Sequence, residues 1–219
     1  MRADLHVHSA NSLNSISRPE SIMKSAAERG IDIIAITDSG NTDSWEEFLR
    51  LQQHFSVKVV LGQEIRVFND RGYAGEVLCL FIEKPITRQK LPEIITQVKS
   101  QDGLVVISHP FSDLLGEFRA FDQIDDWDRV AIEVMNGRVF NKIDNKMAKK
   151  MAKQMNAYIC AGSDAHTPFE VGNVYLEFDG KTIVDLKNAI LNHQVHAHGK
   201  PSKMIYSLFS EFGRIGLEV

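Results

Sequence analysis

The sequence predicts an α/β fold, a distorted TIM-like (β/α)7 barrel. Short apolar runs alternate with amphipathic helical patterns along most of the chain, an order that is typical of a parallel sheet. About seven such units favour a closed or nearly closed barrel over an open sheet. The side chains that can bind metal ions also stand where the predicted strands end, and the C-terminal strand ends form the active face of such barrels.

Length and composition indicate an ordinary globular domain. The chain has 219 residues, of which 43% are hydrophobic and 25% are charged, so we expect one domain over residues 1–219. Its motifs span residues 4–173, and residues 174–219 would supply a closing strand and C-terminal helices. The net charge of −4 gives no general attraction to nucleic acid or anionic membranes. A nucleic-acid substrate is therefore less favoured.

The cysteines and the N-terminus favour a cytoplasmic protein. Cys79 and Cys160 both lie in apolar runs, which favours buried free thiols over a disulfide and suits a reducing compartment. Polar residues interrupt the first ten positions, so no signal-peptide core is present. No run approaches the roughly 20 apolar residues that cross a bilayer. We expect no membrane association.

In the first half, strand and helix patterns follow one another closely. The segment SRPESIMKSAAERG predicts a helix in which Ser17 caps the first turn and Glu20 completes a capping box. The continuous apolar run IDIIAITD indicates a strand buried on both faces. Other predicted strands are ADLHVH and VKVVLGQE, followed by a hairpin over EIRVFNDRGYAGEVLCLFIE, with a helix over DSWEEFLRLQQHF between the second and third strands.

The second half repeats this alternation. Predicted strands are GLVVISHP, RVAIEVMNG, NAYICAGSDAH and VGNVYLEF, and predicted helices are TRQKLPEIITQVKSQDG, residues 141–155, KTIVDLKNAILNH and SKMIYSLFSEFGRIG. The histidine-rich run HQVHAHG at residues 193–199 follows a late helix, away from the predicted strand ends. We expect a surface segment there rather than a second metal site.

The pair His6 and His8 predicts one corner of a metal site. Side chains at i and i+2 of a strand point the same way, so both imidazoles can face one ion. With Glu64 and Asp164 from other strand ends, they form a mixed nitrogen and oxygen set that suits Zn²⁺, Mn²⁺ or Fe²⁺. Two polar histidines on a strand are the alternative for this pair alone. The acidic and histidine residues at the other strand ends favour the metal site.

Further candidates follow the same rule. GSDAH, residues 162–166, places an acid and a histidine two residues apart after a strand, although a turn is the alternative. SHP, residues 108–110, offers His109, for which a buried hydrogen-bonded histidine is the alternative. Of the remaining residues of this kind, Asp38 ends the second strand, Glu133 lies in a later strand, and His166 follows the strand that ends at Cys160.

The motifs DLHVHS, ITD, GQE, SHP and GSDAH, in that order, resemble those of the polymerase and histidinol phosphatase (PHP) family. The resemblance runs from Asp4 to about Asn173. It implies a distorted seven-stranded barrel, up to three metal ions at the C-terminal strand ends, and phosphoester hydrolysis. It also implies that His6, His8, Glu64 and Asp164 hold a first ion, that Glu64 and His109 hold a second, and that His166 belongs to a third.

Several positions depart from the family pattern. Leu13 and Ser39 stand where ligands are usual, and Val77 stands where some members carry a histidine. After the strand that contains Glu133, NGRVFN offers Asn136 and Arg138 in place of a histidine. We expect an intact first site, a partial second site and a dismantled third site. The cofactor would be one or two divalent ions, either Zn, Mn or Fe.

These features predict a metal-dependent hydrolase. The leading hypothesis is a phosphoesterase that uses metal-activated water on a small phosphorylated molecule or nucleotide. His109 and His166 could act as acid or base. Asp38 could orient a ligand histidine or cap a helix. Arg138 is a substrate-binding candidate, with a solvated surface arginine as its alternative.

Two other functions stay open at this point. A barrel that lacks some ligands could serve as a catalytically reduced metal-binding or regulatory module. An intact metal site could also hydrolyse an amide, as amidohydrolases do. The residues do not predict an oligomeric state.

Overall fold

A computed structural model describes residues 1–210 and arranges their strands in one curved sheet. The strands follow the spatial order β7-β6-β5-β4-β3-β2-β1-β8-β9. They are β1 (Arg2–Val7), β2 (Ile33–Ile36), β3 (Lys58–Asn69), β4 (Gly72–Leu80), β5 (Leu104–Ile107), β6 (Val130–Asn136), β7 (Tyr158–Gly162), β8 (Val174–Phe178) and β9 (Val195–Gly199).

Helices connect most of these strands. They are α1 (Pro19–Glu28), α2 (Trp45–Leu51), α3 (Leu91–Lys99), α4 (Lys142–Met155), α5 (Ile183–Leu191) and α6 (Met204–Ser210), with a 3₁₀ turn at Phe121–Gln123. The end of the predicted last helix, residues 211–216, lies outside the described residues. The structure contains no helix, within residues 1–210, that is long and apolar enough to cross a membrane.

Strands β1 to β7 form the predicted seven-stranded barrel. Six of them run in one direction, and β4 is antiparallel to both of its neighbours. The barrel nearly closes where the end of β1 meets the segment after β7. There the backbone N–H of His8 donates to the carbonyl of Ala165 at 2.9 Å. The antiparallel pair β8 and β9 extends the sheet beyond β1.

Alternating side chains on the strands build an inner and an outer core. In β2, Ile33 and Ala35 belong to the cluster inside the barrel, while Ile34 and Ile36 pack outward against α1 and α2. All four side chains are fully buried. The continuous apolar run therefore forms a strand that is buried on both faces, as the sequence predicts.

The structure decides three further predictions, which concern the cap of α1, the two cysteines and the run at residues 193–199. Helix α1 begins at Pro19 with Arg18 at its N-cap and no side-chain cap bond, so the predicted capping box of Ser17 and Glu20 is wrong. The proline at the first helical position already supplies the helical φ angle there. Cys79 and Cys160 are buried free thiols. The predicted surface run at 193–199 is exposed at most positions but supplies strand β9.

Candidate metal centre

The imidazoles of His6 and His8 converge at the C-terminal end of β1. Their Nε2 atoms lie 3.0 Å apart, and both side chains are buried. The pairing of β1 with β2 shifts register between Asp4 and Val7, an irregularity that re-aims side chains. It lets Leu5 face the apolar interior while the next residue, His6, faces the site. The predicted common orientation of the two histidines is confirmed.

A buried glutamate orients the ring of His6. The Nδ1 atom of His6 lies 3.0 Å from a carboxylate oxygen of Glu133. Since a carboxylate accepts hydrogen bonds, Nδ1 carries a hydrogen and Nε2 faces the other donor atoms. Burial alone would lower the pKa of His6, but the negative charges of Asp164 and Glu133 raise it well above its ordinary value. Glu133 therefore acts on the site through His6.

A serine and an aspartate orient the ring of His8. The hydroxyl of Ser12 donates to Asp38 at 2.8 Å and lies 3.1 Å from Nδ1 of His8. Because a hydroxyl has one hydrogen, it accepts the hydrogen of His8 Nδ1, and Nε2 faces the carboxylates of Glu64 and Asp164. Asp38 also accepts hydrogen bonds from Ser9 and Ser44. It reaches the ligand histidine through Ser12, and a role in the reaction itself stays a prediction.

Two carboxylates complete this first corner. Glu64 lies 3.3 Å from His6 Nε2, and Asp164 lies 3.3 Å from His8 Nε2. Burial alone would raise both carboxyl pKa values. Hydrogen bonds from His109 and His6 hold the pKa of Glu64 well below its ordinary range, and the charge of His6 does the same for Asp164. Both groups are therefore negatively charged near neutral pH.

The loops that present these ligands have unusual backbone geometry. His109 has a φ of 32° and Asp164 a φ of 55°, a left-handed conformation that costs non-glycine residues on the order of 1–3 kcal/mol. Gly162 permits the close approach of β7 to β1, because a Cβ at this position would lie 2.4 Å from the Cβ of His6. Both observations indicate that tertiary contacts impose the positions of these side chains.

A second group of donors contains a residue that the sequence analysis did not select. The Nε2 atom of His109 lies 3.8 Å from Glu64 and 3.6 Å from Glu76. Donor atoms of these three residues lie within 4.8 Å of one another. Burial and the charge of Glu64 raise the pKa of Glu76 to about 7. The second group is therefore more complete than the partial site that the sequence predicts.

The missed residue, Glu76, lies one position before Val77, which stands where some members of the family carry a histidine. Val77 is fully buried in the outer core, so its replacement of a histidine leaves no gap in the site. In the antiparallel pair β3 and β4, Glu76 is opposite Arg66. Arg66 follows Glu64 by two residues in β3, so Glu64 and Glu76 lie on the same face of the hairpin. Diagonal neighbours of this kind are close enough for their side chains to meet. The period-two alternation of the hairpin was the signal that could have identified Glu76.

His166 lies beside His8 of the first corner. Its ring centroid is 4.3 Å from that of His8, and donor atoms of His8, Asp164 and His166 lie within 4.8 Å of one another. The carbonyl of Asp164 lies 2.9 Å from Nδ1 of His166 and can only accept, so Nδ1 carries a hydrogen. Burial and the charge of Arg138 hold the pKa of His166 well below its ordinary value.

The positions that depart from the family pattern have other roles. The hydroxyl of Ser39 donates to Glu64 at 2.9 Å. Asn136 is buried and donates to both Glu133 and Asp164. Leu13 is 77% exposed and lies at the mouth of a cavity. Two of these three residues therefore orient carboxylates of the site.

Arg138 is buried, which overturns its interpretation as a solvated surface residue. Only 8% of it is exposed, because it follows β6 into the cavity wall. Its guanidinium lies 3.6 Å from Glu170 and donates to Ser210 at 2.8 Å. Glu170 in turn accepts the backbone N–H groups of His166 and Thr167. Arg138 is thus held rigidly beside the candidate metal ligands.

The metal-ligand candidates lie on one side of a cavity of about 730 Å³. Its lining includes Glu64, Glu76 and His109 together with Asp164 and His166. The hairpin of β3 and β4 forms part of one wall and contributes Arg66, whose Nε lies 3.2 Å from Glu76. Arg88 also lines the cavity. Leu13 and Leu114 form apolar parts of the mouth, and both are exposed.

Together, the fold and these side chains define a barrel protein with a histidine and carboxylate metal-binding centre at its C-terminal strand ends. Comparison with family models then identifies the family. The PHP domain model matches residues 4–177, and the chain belongs to this family. The resemblance seen in the sequence motifs is therefore confirmed.

Two proteins of Methanocaldococcus jannaschii are similar in sequence. Uncharacterized protein MJ1587 is 33% identical over 147 residues, which cover 62% of this chain and 82% of that protein. Uncharacterized protein MJ0417 is 29% identical over 185 residues, which cover 81% of this chain and 70% of that protein.

Solved structures share the fold at low sequence identity. A two-domain protein from Bacteroides vulgatus, described as containing a "predicted PHP-like metal-dependent phosphoesterase", matches with a TM-score of 0.76 and 16% identity. The match covers 98% of this chain and 69% of that one. An amidohydrolase from Chromobacterium violaceum matches with a TM-score of 0.64 and 16% identity over 93% of this chain and 99% of that one. These likenesses show the fold alone.

Proposed function

We propose that this protein is a metal-dependent phosphoesterase that acts on a small phosphorylated molecule. The observation that carries the proposal is the convergence of His6 and His8 with Glu64 and Asp164 beside a cavity that also contains a buried arginine. Membership of the PHP family and the phosphoesterase description of one structural neighbour support the same reaction class.

The donor set fits divalent transition ions. Imidazole nitrogens and carboxylate oxygens together suit Zn²⁺, Mn²⁺ or Fe²⁺. His6 Nε2 and His8 Nε2 face each other at 3.0 Å, and each Nδ1 atom is occupied by a partner. We expect His6, His8, Glu64 and Asp164 to hold one ion, and Glu64, Glu76 and His109 to hold a second. Such ions lower the pKa of bound water and polarise phosphoryl oxygens.

The protein's own residues would bind and orient the substrate. The guanidinium of Arg138 lines the cavity beside Asp164 and His166, so it is placed to bind a phosphoryl oxygen. Glu170 holds this guanidinium from behind. Arg66 and Arg88 also line this cavity, and each is paired with a carboxylate, Arg66 with Glu76 at 3.2 Å and Arg88 with Glu93 at 3.8 Å.

His166 is suited to accept a proton. Its Nδ1 hydrogen is directed at a carbonyl, and its pKa lies well below the ordinary value. Its Nε2 atom is therefore unprotonated near pH 7 and can serve either as a ligand or as a base. The structure brings His166 to the cavity, as a catalytic role requires, and His109 lines the same cavity.

Metal analysis and a substrate panel test the proposal. The purified chain is expected to retain or bind one or two divalent ions per molecule, and to hydrolyse a generic phosphomonoester or phosphodiester when Mn²⁺ or Zn²⁺ is added. Loss of both properties in a His8→Ala variant would tie turnover to the metal centre. Metal binding without hydrolysis of any phosphoester would contradict the proposal.

The same panel separates the competing functions. Amide substrates are included because one structural neighbour is an amidohydrolase. Turnover of amides without turnover of phosphoesters would assign the amidohydrolase reaction. Metal binding with no turnover of either class would favour a regulatory module.

A further inference from the structure

A second cavity lies outside the metal centre, between the outer sheet extension and α6. Its volume is about 530 Å³, which is within the range of small-molecule sites. It is formed by the segment that follows His166, by the ends of β8 and β9, and by α6. Among the residues that the structure describes, it shares no lining residue with the cavity of the metal centre.

The second cavity is positively charged. Arg29, Lys200 and Lys203 line it, and none of its lining residues within 1–210 is acidic. His198 from the histidine-rich run also lines it and lies 3.8 Å from Glu177. The guanidinium of Arg29 is held by three neutral oxygens, from Phe169, Val171 and Asn173. Nowhere in residues 1–210 does a carboxylate form an ion pair with Arg29, Lys200 or Lys203. In a protein of net charge −4, this local excess favours an anion.

Aromatic rings line the same cavity. Phe169 stacks on Tyr206 with ring centroids 5.8 Å apart, and Tyr175 stacks on His198 at the same separation. Phe169 is still 54% exposed. A planar ligand ring could cover that surface, since ring stacking on aromatic side chains does not require base-specific hydrogen bonds.

We propose that this cavity is a second binding site, for a nucleotide, in which Lys200, Lys203 and Arg29 bind the phosphate while the ring stacks on Phe169. Phosphate and a planar ring are the two chemical parts that the lining matches, and the cavity volume suits one mononucleotide. The proposal does not depend on the phosphoesterase reaction, because none of these residues belongs to the metal centre.

The backbone connects the two sites. The segment between β7 and β8 carries Asp164 and His166 at its start and Phe169 and Asn173 at its end. Glu170 lies between them and holds the backbone of His166. Asn173 also donates to Ser202, at the start of the segment that leads into α6. A ligand in the second cavity would therefore bind to the same segment that positions two metal-ligand candidates.

Calorimetric titration with AMP tests this assignment. AMP is titrated into the full chain and into the His8→Ala variant, where the metal centre is damaged. The pocket variants are Lys200→Ala/Lys203→Ala and Phe169→Ala. A matched control, Lys149→Ala/Lys150→Ala, removes the same charge from the exposed face of α4. Adenosine, inorganic phosphate and a short single-stranded oligonucleotide serve as comparison ligands.

The expected result is an AMP site that remains in His8→Ala, and that is therefore separate from any AMP bound at the metal centre of the full chain. Removing both pocket lysines should weaken AMP binding about tenfold or more, and Phe169→Ala should weaken it roughly fivefold or more. The control pair should leave it unchanged, and the pocket variants should retain phosphoester turnover. The proposal is overturned by absence of AMP binding, by its loss in His8→Ala, or by equal weakening in the control pair. Inorganic phosphate binding as tightly as AMP, or tighter binding of the oligonucleotide, would overturn the ligand class.

Discussion

The metal centre has two corners that are held in place in different ways. The first corner contains His6, His8, Glu64 and Asp164, and the second corner is the group of Glu64, Glu76 and His109. In the first corner, the Nδ1 atoms of His6 and His8 contact Glu133 and Ser12 respectively, so both rings are oriented before any ion binds. In the second corner, Nδ1 of His109 is buried and, within the described part of the chain, has no hydrogen-bond partner. Its companion Glu76 is partly exposed.

This difference predicts which of the two corners binds a metal ion more tightly. Partners that orient a ligand histidine strengthen metal binding, and their loss costs about 10–100-fold. The first corner has such partners for both histidines, whereas His109 is positioned by its backbone, which donates from N–H to Glu133 at 2.7 Å. We therefore expect tight binding of one ion at the first corner and weaker binding at the second.

The largest effect is expected from His6→Ala. This change removes a ligand of the first corner and leaves the buried Glu133 without its histidine partner, so metal affinity and turnover should fall by more than about 100-fold. Metal content by atomic absorption and the phosphoester assay measure both quantities. His196→Ala, on the exposed face of β9, is the control and should match the parent. Retention of metal by His6→Ala would contradict the assignment of His6 as a metal ligand of the first corner.

Glu76→Gln separates the two corners. It keeps the size of the side chain and removes the charge that an ion at the second corner needs, so the weaker of two binding steps should lose about 10–100-fold in affinity. The tight step should stay within about twofold of the parent. Titration of the metal-free protein with Mn²⁺ gives both constants. Glu83→Gln, an exposed change, is the control, and equal effects on both steps would contradict the distinction.

Ser12→Ala tests the orienting partner of His8. Without the hydroxyl, Nδ1 of His8 loses its acceptor, and metal affinity at the first corner should fall about tenfold, the lower end of such effects. The same titration measures the change, with the exposed Ser100→Ala as control. If Ser12→Ala instead weakened only the second step, the contact with His8 would not explain its role.

A further effect is the pH dependence of metal binding. The carboxylates Asp164 and Glu133 raise the pKa of His6, and burial raises that of Glu76 to about 7. Both groups hold a proton at pH 6 that an ion must displace, so affinity should rise with pH by up to about tenfold per unit between pH 6 and 8. Titrations at pH 6, 7 and 8 measure this slope. In Glu76→Gln, the slope of the weaker step should decrease, and an unchanged slope would exclude Glu76 as the titrating group.

Much of the barrel and of the first corner could be predicted from local sequence. The alternation in DLHVH places His6 and His8 on one face, and the continuous run in IDIIAITD indicates a strand with two buried faces. The sequence also predicts Glu64, His109 and Asp164 at other strand ends. His109 and Asp164 do follow β5 and β7, because side-chain period and the parallel arrangement of strands act over short stretches of chain. The predicted strand end at Glu64 is wrong, because β3 continues to Asn69 as one arm of the hairpin.

Other parts of the centre could not be predicted in this way. Glu76 was missed because β4 runs antiparallel to its neighbours. The residue that β4 contributes to the site therefore lies within the strand and not at its C-terminal end. The sequence left a surface position open for Arg138, because its local sequence shows only an arginine after a strand. Its burial depends on Glu170 and Ser210, which are distant in sequence.

The sequence by itself determined the order of the helices and of strands β1 to β8, the family, and the candidate ligands that follow a period-two pattern, but not strand β9. Only the tertiary structure decided which side chains orient the ligands, namely Ser12, Glu133 and Asn136, and which side of the hairpin faces the site. The physical reason is that hydrogen-bond partners and burial arise between segments that meet only when the barrel closes.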